Sequence, residues 1–205
     1  MMKSINHNQF KTSEILGIDL GNKGSGNTAL CYLLNNTLQL HQIKKGKDEF
    51  SIILDVIDKY SIRLVCIDAP LSLPRVYFDK NKFNDYMYRE CDKACKAMSP
   101  MFVGAFTARA IQLKNMLENK KSQVIEVYPK KLVETINLTA YYPNKKENKV
   151  PNELILNLKK EIPYNFCKPE TLHQLDALIC WQSGFRYLNK KHLEFGHKKE
   201  GIIIV

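Results

Sequence analysis

With 205 residues, 44% of them hydrophobic and 25% charged, the chain can bury one core and does not have the composition of a disordered protein. Its formal net charge of +10 favours polyanionic partners, nucleic acid above all; the plainer alternative is a lysine-rich solubilising surface, with pairs such as Lys44-Lys45, Lys130-Lys131 and Lys145-Lys146. No apolar run approaches the roughly 18 residues that cross a bilayer, and residues 1–13 lack the apolar segment of a signal peptide. A cytoplasmic protein is therefore expected, with Cys31, Cys66, Cys91, Cys95, Cys167 and Cys180 reduced.

Residues 1–13 read as a flexible arm and 14–205 as a single domain. Residues 14–20 form an apolar strand ended by Gly21. A turn over 22–28 leads to a second strand over 28–34. Asn35-Asn36 is a turn signal, and 37–43 alternates as a third strand. Three strands on short turns predict an antiparallel meander. Phe50, Ile52, Ile53, Val56, Ile57 and Tyr60 are spaced for a helix over 48–60. Residues 62–67 form a fourth strand running into Asp68-Ala69-Pro70. Reached through a helix, it is expected to run parallel to an earlier strand. Pro70 and Pro74 then force a loop.

Residues 75–100 form an aromatic-rich excursion with a helix around 85–97, and a longer helix follows over 101–118. Cys91 and Cys95 share a helical face, but two further zinc ligands at close spacing are not evident. Together 75–120 reads as a helical insertion. Residues 123–128 form a fifth strand ended by Pro129, and 130–136 a short helix. Residues 139–150 read as a loop, a helix starts after Pro151, and 167–170 is a break. Residues 171–188 form the last strong helix, with Thr171 as its cap. The apolar tail Ile202–Val205 docks as a strand or on the core. The order βββ-α-β-(helices)-β-(helices)-α predicts an α/β fold, a mixed sheet with helices on both faces.

Three carboxylates fall at matching places on predicted strands: Asp19 within the first, Asp68 closing the fourth, Glu126 inside the fifth. If these strands are parallel neighbours, their C-terminal ends gather at one edge, where open α/β sheets place their sites. His173 and Asp176 lie i, i+3 on one face of the last helix. Converging carboxylates repel one another, and a divalent cation relieves that conflict; Mg²⁺ or Mn²⁺ suits an all-oxygen set. Each residue has an ordinary alternative. Asp19 caps the following turn, Asp68 forms an Asx-type turn, Glu126 pairs with a buried arginine such as Arg109, and Asp176 pairs with His173 or a lysine. Arg89 either pairs with Asp92 on the surface or contacts a phosphate, and Arg109 has the same two readings; Lys23, in the turn after Asp19, either touches a phosphate or is a solvated turn lysine.

The stretches Gly17-Ile18-Asp19-Leu20-Gly21, Ile67-Asp68-Ala69-Pro70-Leu71-Ser72-Leu73-Pro74, Arg89-Glu90-Cys91-Asp92, Ile125-Glu126-Val127-Tyr128-Pro129, His173-Gln174-Leu175-Asp176 and Glu200-Gly201 resemble the DUF429 family. That family is described as predicted nucleases with an RNase H-like fold. The resemblance implies three antiparallel strands followed by two parallel ones, metal ligands at Asp19, Asp68 and Asp176, and Glu126 as a further member of the site. It implies a metal-dependent nuclease acting on DNA or RNA; in the mechanism read from the residues, His173 orients or deprotonates water. Two other functions compete: an actin-like phosphotransferase that holds ATP phosphates in the Gly17–Thr28 turn, and a non-catalytic nucleic-acid-binding module on the same fold.

Overall fold

The computed structural model describes residues 10–80, 82–143 and 149–205. Most of the expected N-terminal arm and the pair Lys145-Lys146 lie outside the described residues. The strands are β1 (Ile15–Asp19), β2 (Ala29–Leu34), β3 (Thr37–Gln42), β4 (Leu64–Asp68), β5 (Gln123–Val127), β6 (Asn165–Phe166), β7 (Glu194–His197) and β8 (Gly201–Ile204). The helices are α1 (Glu49–Tyr60), α2 (Glu90–Cys95), α3 (Gly104–Asn119), α4 (Pro129–Thr135), α5 (Asn152–Glu161) and α6 (Leu172–Leu188). One mixed sheet has the order β6-β3-β2-β1-β4-β5-β8-β7. The meander β1-β2-β3 is antiparallel, and β4, β5 and β8 follow β1 in parallel.

β1 lies in the middle of this sheet, and every residue in it is buried. Its side chains alternate between two cores. Ile15 joins Leu64, Cys66, Ile125 and residues of α4, α5 and α6. Leu16 and Ile18 join Val65, Ile67 and residues of α1 and α3. That two-sided burial is why β1 reads as a continuous apolar run. Asn35 and Asn36 both take positive φ (48° and 60°), the backbone a tight two-residue hairpin requires. Asp48 caps α1 by accepting the Phe50 amide at 3.1 Å and the Ser51 amide at 3.4 Å.

Three local expectations needed correction. The helix around 85–97 shrinks to α2, because Asp85 accepts the Met87 and Tyr88 amides (both 2.8 Å) and holds that backbone in a turn. The helix expected from 101 begins at Gly104, after Thr107 Oγ1 has bonded back to the Pro100 carbonyl at 2.7 Å. β6 and β7 were not expected. β6 is two residues long, and β7 is largely exposed, so neither carries an apolar alternation. α3 packs Ala110, Leu113 and Leu117 into the core it shares with α1. Among the described residues no helix is long and apolar enough to cross a membrane.

Candidate active site

β1 and α6 meet through glycine. A Cβ at Gly17 would lie 2.3 Å from the Ala177 carbonyl oxygen and 2.4 Å from the Trp181 nitrogen. A Cβ at Gly184 would lie 2.5 Å from Cys66 Sγ and 2.8 Å from Ile15 Cγ2. The helix backbone therefore rests directly on the strand. Ile15 meets Gly184 and Gly17 meets Ala177, so α6 runs antiparallel to β1 and its first turn overhangs Asp19. Thr171 Oγ1 caps that turn by accepting the Gln174 amide at 3.1 Å.

Asp19 stands in register with Asp68 on the neighbouring parallel strand, so both project to the α6 side. His173 Nδ1 lies 2.6 Å from Asp19 Oδ2, and Tyr142 donates its hydroxyl to Asp176 Oδ1 at 2.6 Å. Burial raises the Asp19 pKa against the opposing hydrogen bond and charge of His173. Asp68 is pushed well above the carboxylate range, by burial first and then by the charges of Asp19, Asp176 and Glu126. Asp176 is pushed up to about 7 by burial and by Asp19, against the Tyr142 hydrogen bond. His173 is raised by its bond to Asp19. Three carboxylates thus crowd one edge of the sheet and hold protons more tightly than free carboxylates do. The donors there are all carboxylate oxygens, the donor type a hard divalent cation such as Mg²⁺ or Mn²⁺ prefers.

Glu126 is placed differently. It is in register with Ile67, the residue before Asp68, so it projects to the opposite face of the sheet. There Arg89 Nη2 donates to Glu126 Oε1 at 2.6 Å and Arg89 Nη1 to Oε2 at 2.8 Å. The Leu71 amide adds a third bond to Oε2 at 2.9 Å. Glu126 does pair with an arginine, but that arginine is Arg89. The same guanidinium bonds Asp92 through Nε (3.1 Å) and Nη2 (2.6 Å), and Nη1 reaches Ser72 Oγ at 2.8 Å. Arg89 is fully buried and Asp92 nearly so; theirs is an interior pair and Arg89 has no face left for a phosphate. Burial alone would lower the arginine's pKa, but Glu126 and Asp92 outweigh it and raise it. Among the described residues, Cys91, Asp92 and Glu126 form the one group of three whose potential ligand atoms lie within 4.8 Å of one another. The cation of that cluster is Arg89 itself, and burial keeps the Cys91 thiol protonated.

Glu200 extends the same cluster. Its carboxylate accepts the Arg75 amide at 2.9 Å and the Glu90 amide at 2.8 Å. Gly201, at φ +146°, leaves the space where a Cβ would lie 2.4 Å from Ser72 Oγ. Four of the quoted sequence stretches therefore meet around Arg89.

The 22–28 turn is also committed. The Gly24 amide donates to Glu49 Oε1 at 2.5 Å, and Glu49 Oε2 receives Arg109 Nη2 at 3.0 Å. Arg109 lies over the Phe50 ring, 4.2 Å from its centroid. A buried carboxylate occupies the amide a phosphate would need. Gly21 makes room for Thr28 and Asn27 rather than for a ligand: a Cβ there would lie 2.8 Å from the Thr28 nitrogen. Lys23 is exposed in this turn.

A cleft of about 370 Å³ opens between the two clusters; Asp19, Asp68, Glu126, Met98, Phe106 and Tyr128 are among its walls. No protein-family model, curated protein or solved structure matches the chain.

Three residues of these clusters, Tyr142, Glu49 and Glu200, escape a reading of the sequence. Tyr142 lies in a polar loop and Glu49 at a helix start, with no local signal of a distant partner. Glu200 stood only as part of a quoted motif. Asp92 had a signal: three residues after Arg89, it returns a bond to the Arg89 amide at 2.9 Å, the spacing of a capping box.

Proposed function

We propose that the chain is a metal-dependent nuclease of RNase H-like architecture, hydrolysing phosphodiester bonds of DNA or RNA. The reading rests on one observation: Asp19 and Asp68 are in register on adjacent parallel strands, under Asp176. The order β3-β2-β1-β4-β5, antiparallel and then parallel, agrees with what the DUF429 resemblance implies. The net charge of +10 suits a phosphate backbone.

Asp19, Asp68 and Asp176 would hold Mg²⁺ or Mn²⁺, which supplies Lewis-acid stabilisation of phosphoryl charge when bound. Tyr142 keeps Asp176 oriented, and His173 does the same for Asp19. With Nδ1 on Asp19, His173 presents Nε2 from a side chain that is 40% exposed, where it exchanges a proton with the reacting groups. A water oxygen forms the new bond to phosphorus, the ester P–O bond breaks, and the leaving oxygen takes up a proton. Glu126 serves as a brace: it ties the Leu71 amide, three residues beyond Asp68, to Arg89.

The Glu49 carboxylate at the Gly24 amide weighs against phosphotransfer from ATP. The test is cleavage of end-labelled single- and double-stranded DNA and RNA in Mg²⁺ or Mn²⁺. Cleavage that Asp19→Asn or Asp68→Asn abolishes is expected. Wild-type protein without cleavage, or an Asp19→Asn variant that cleaves equally, overturns the reading. A crystal soaked in Mn²⁺ should give anomalous density beside Asp19, Asp68 and Asp176.

A further inference from the structure

Six of the nine large hydrophobic side chains exposed among the described residues fall between Tyr77 and Phe102, in the segment joining β4 to α3. Phe78 is 66% exposed and Phe102 62%. Such a concentration marks a binding surface rather than scattered exposure. The rings are held in place. Tyr77 and Tyr86 meet edge to face at 5.7 Å, and Tyr77 Oη donates to the Tyr86 carbonyl at 3.1 Å. Tyr88 and Phe102 meet edge to face at 5.9 Å. Ser99 Oγ donates to the Met87 carbonyl and accepts the Met101 amide, joining the two ring pairs. Met98, at the same surface, forms part of the cleft wall that includes Asp19 and Asp68. Lys80, Lys82 and Lys96 are exposed along the segment.

We propose that this surface is a base-stacking platform that feeds single-stranded nucleic acid into the carboxylate cleft. Fixed aromatic faces between lysines are what an unpaired strand requires: rings for the bases, ammonium groups for the phosphates. A duplex keeps its bases stacked inside and presents phosphate instead, so exposed rings gain nothing from it. The positive net charge separates a polyanionic occupant from an apolar protein partner. The proposal rests on the nuclease reading for its direction, since it places the strand relative to Asp19 and Asp68, but binding itself needs no divalent cation.

The test is fluorescence anisotropy of the full chain with a labelled 12-nucleotide single strand, DNA or RNA, and with the matching duplex, in EDTA. The single strand should bind about tenfold more tightly or better. Phe102→Ala and Tyr86→Ala should each weaken it roughly fivefold or more, while Leu156→Ala, exposed on α5, changes nothing. Circular dichroism on each variant checks folding. Equal affinity for duplex, or the same affinity for Phe102→Ala as for Leu156→Ala, overturns the platform. So does a concentration-dependent dimer that Phe102→Ala abolishes without changing oligonucleotide affinity. The two proposals fail separately. Aromatic-dependent binding without cleavage in Mn²⁺ removes the nuclease reading alone; cleavage whose KM is unmoved by Phe102→Ala removes the platform alone.

Discussion

Two carboxylate clusters lie on either side of the same cleft, and they solve the problem of buried charge in opposite ways. Around Arg89, the carboxylates of Glu126 and Asp92 close on an internal guanidinium, and amides and a hydroxyl take up further bonds. Beside it, Asp19, Asp68 and Asp176 have each other's charge as neighbours, eased by His173 and Tyr142. The first cluster carries its cation in the sequence. The second calls for protons or an added cation, and this is what separates a brace from a candidate reaction centre.

The sharpest way to break the comparison is to remove the internal cation. Arg89→Ala leaves Glu126 and Asp92 buried together and should cost about 3–5 kcal/mol, read as a lower urea midpoint. A wild-type midpoint would mean the brace is ornamental. Asp68→Asn, in contrast, removes a repelling charge: metal-free stability should hold or rise. It should also abolish the stabilisation by Mn²⁺ expected of wild type, about 2.7 kcal/mol at one hundred times the dissociation constant. If both substitutions destabilise equally, the distinction between the clusters collapses.

Gly17→Ala tests how α6 brings Asp176 over Asp19. The added methyl meets helix backbone, so the variant should lose roughly 1–3 kcal/mol and bind Mn²⁺ more weakly. Unchanged Mn²⁺ affinity in a folded Gly17→Ala protein would detach the site from the helix packing.

A raised carboxylate pKa means that the folded protein binds more protons than the unfolded chain. The Asp176 contribution to metal-free stability should therefore fall as pH rises from roughly 4 through about 7. His173, whose raised pKa favours the folded state at low pH, adds to the decline above about pH 6.5. Mn²⁺ should flatten the first part of this slope, because a bound cation holds the carboxylates ionised. Urea midpoints at pH 5 and pH 8, in EDTA and in Mn²⁺, measure both effects; a midpoint that rises with pH in EDTA contradicts the crowding. The smallest effect is expected from Tyr142→Phe. Losing its donor should cost about 1 kcal/mol and move the pH midpoint of Mn²⁺ binding upward.

Much of the architecture was legible because burial writes itself into local pattern. β1, β4 and β5 are apolar runs packed on both faces, and α1 and α6 carry one-sided or dense apolar spacing. β6 and β7 carry no such pattern because they are short or exposed, and their pairing comes from the partner strand. Asp19, Asp68 and Asp176 could be picked out because a carboxylate in or beside an apolar element is costly and calls for compensation. Glu126 satisfied the same criterion and led to the wrong arginine, Arg109, because the cost of burial does not identify the partner. Residue parity already held a warning: Glu126 is in register with Ile67 rather than with Asp68, but that register exists only once β4 and β5 are paired.

By itself, then, the sequence determined the order of the buried strands and main helices and which carboxylates needed company. Hydrophobic periodicity and desolvation act within a few residues, so both are visible along the chain. Only the tertiary structure decided who the company is. It set Arg89 between Glu126 and Asp92, Glu49 at the Gly24 amide and Tyr142 on Asp176. It also paired the rings of Tyr77 with Tyr86 and of Tyr88 with Phe102, edge to face. The hydrogen-bonded pairs among them are separated by 3 to 37 residues, and they depend on strand register and on a strand and helix that meet through Gly17 and Gly184. Neither has a signature in any short window of sequence.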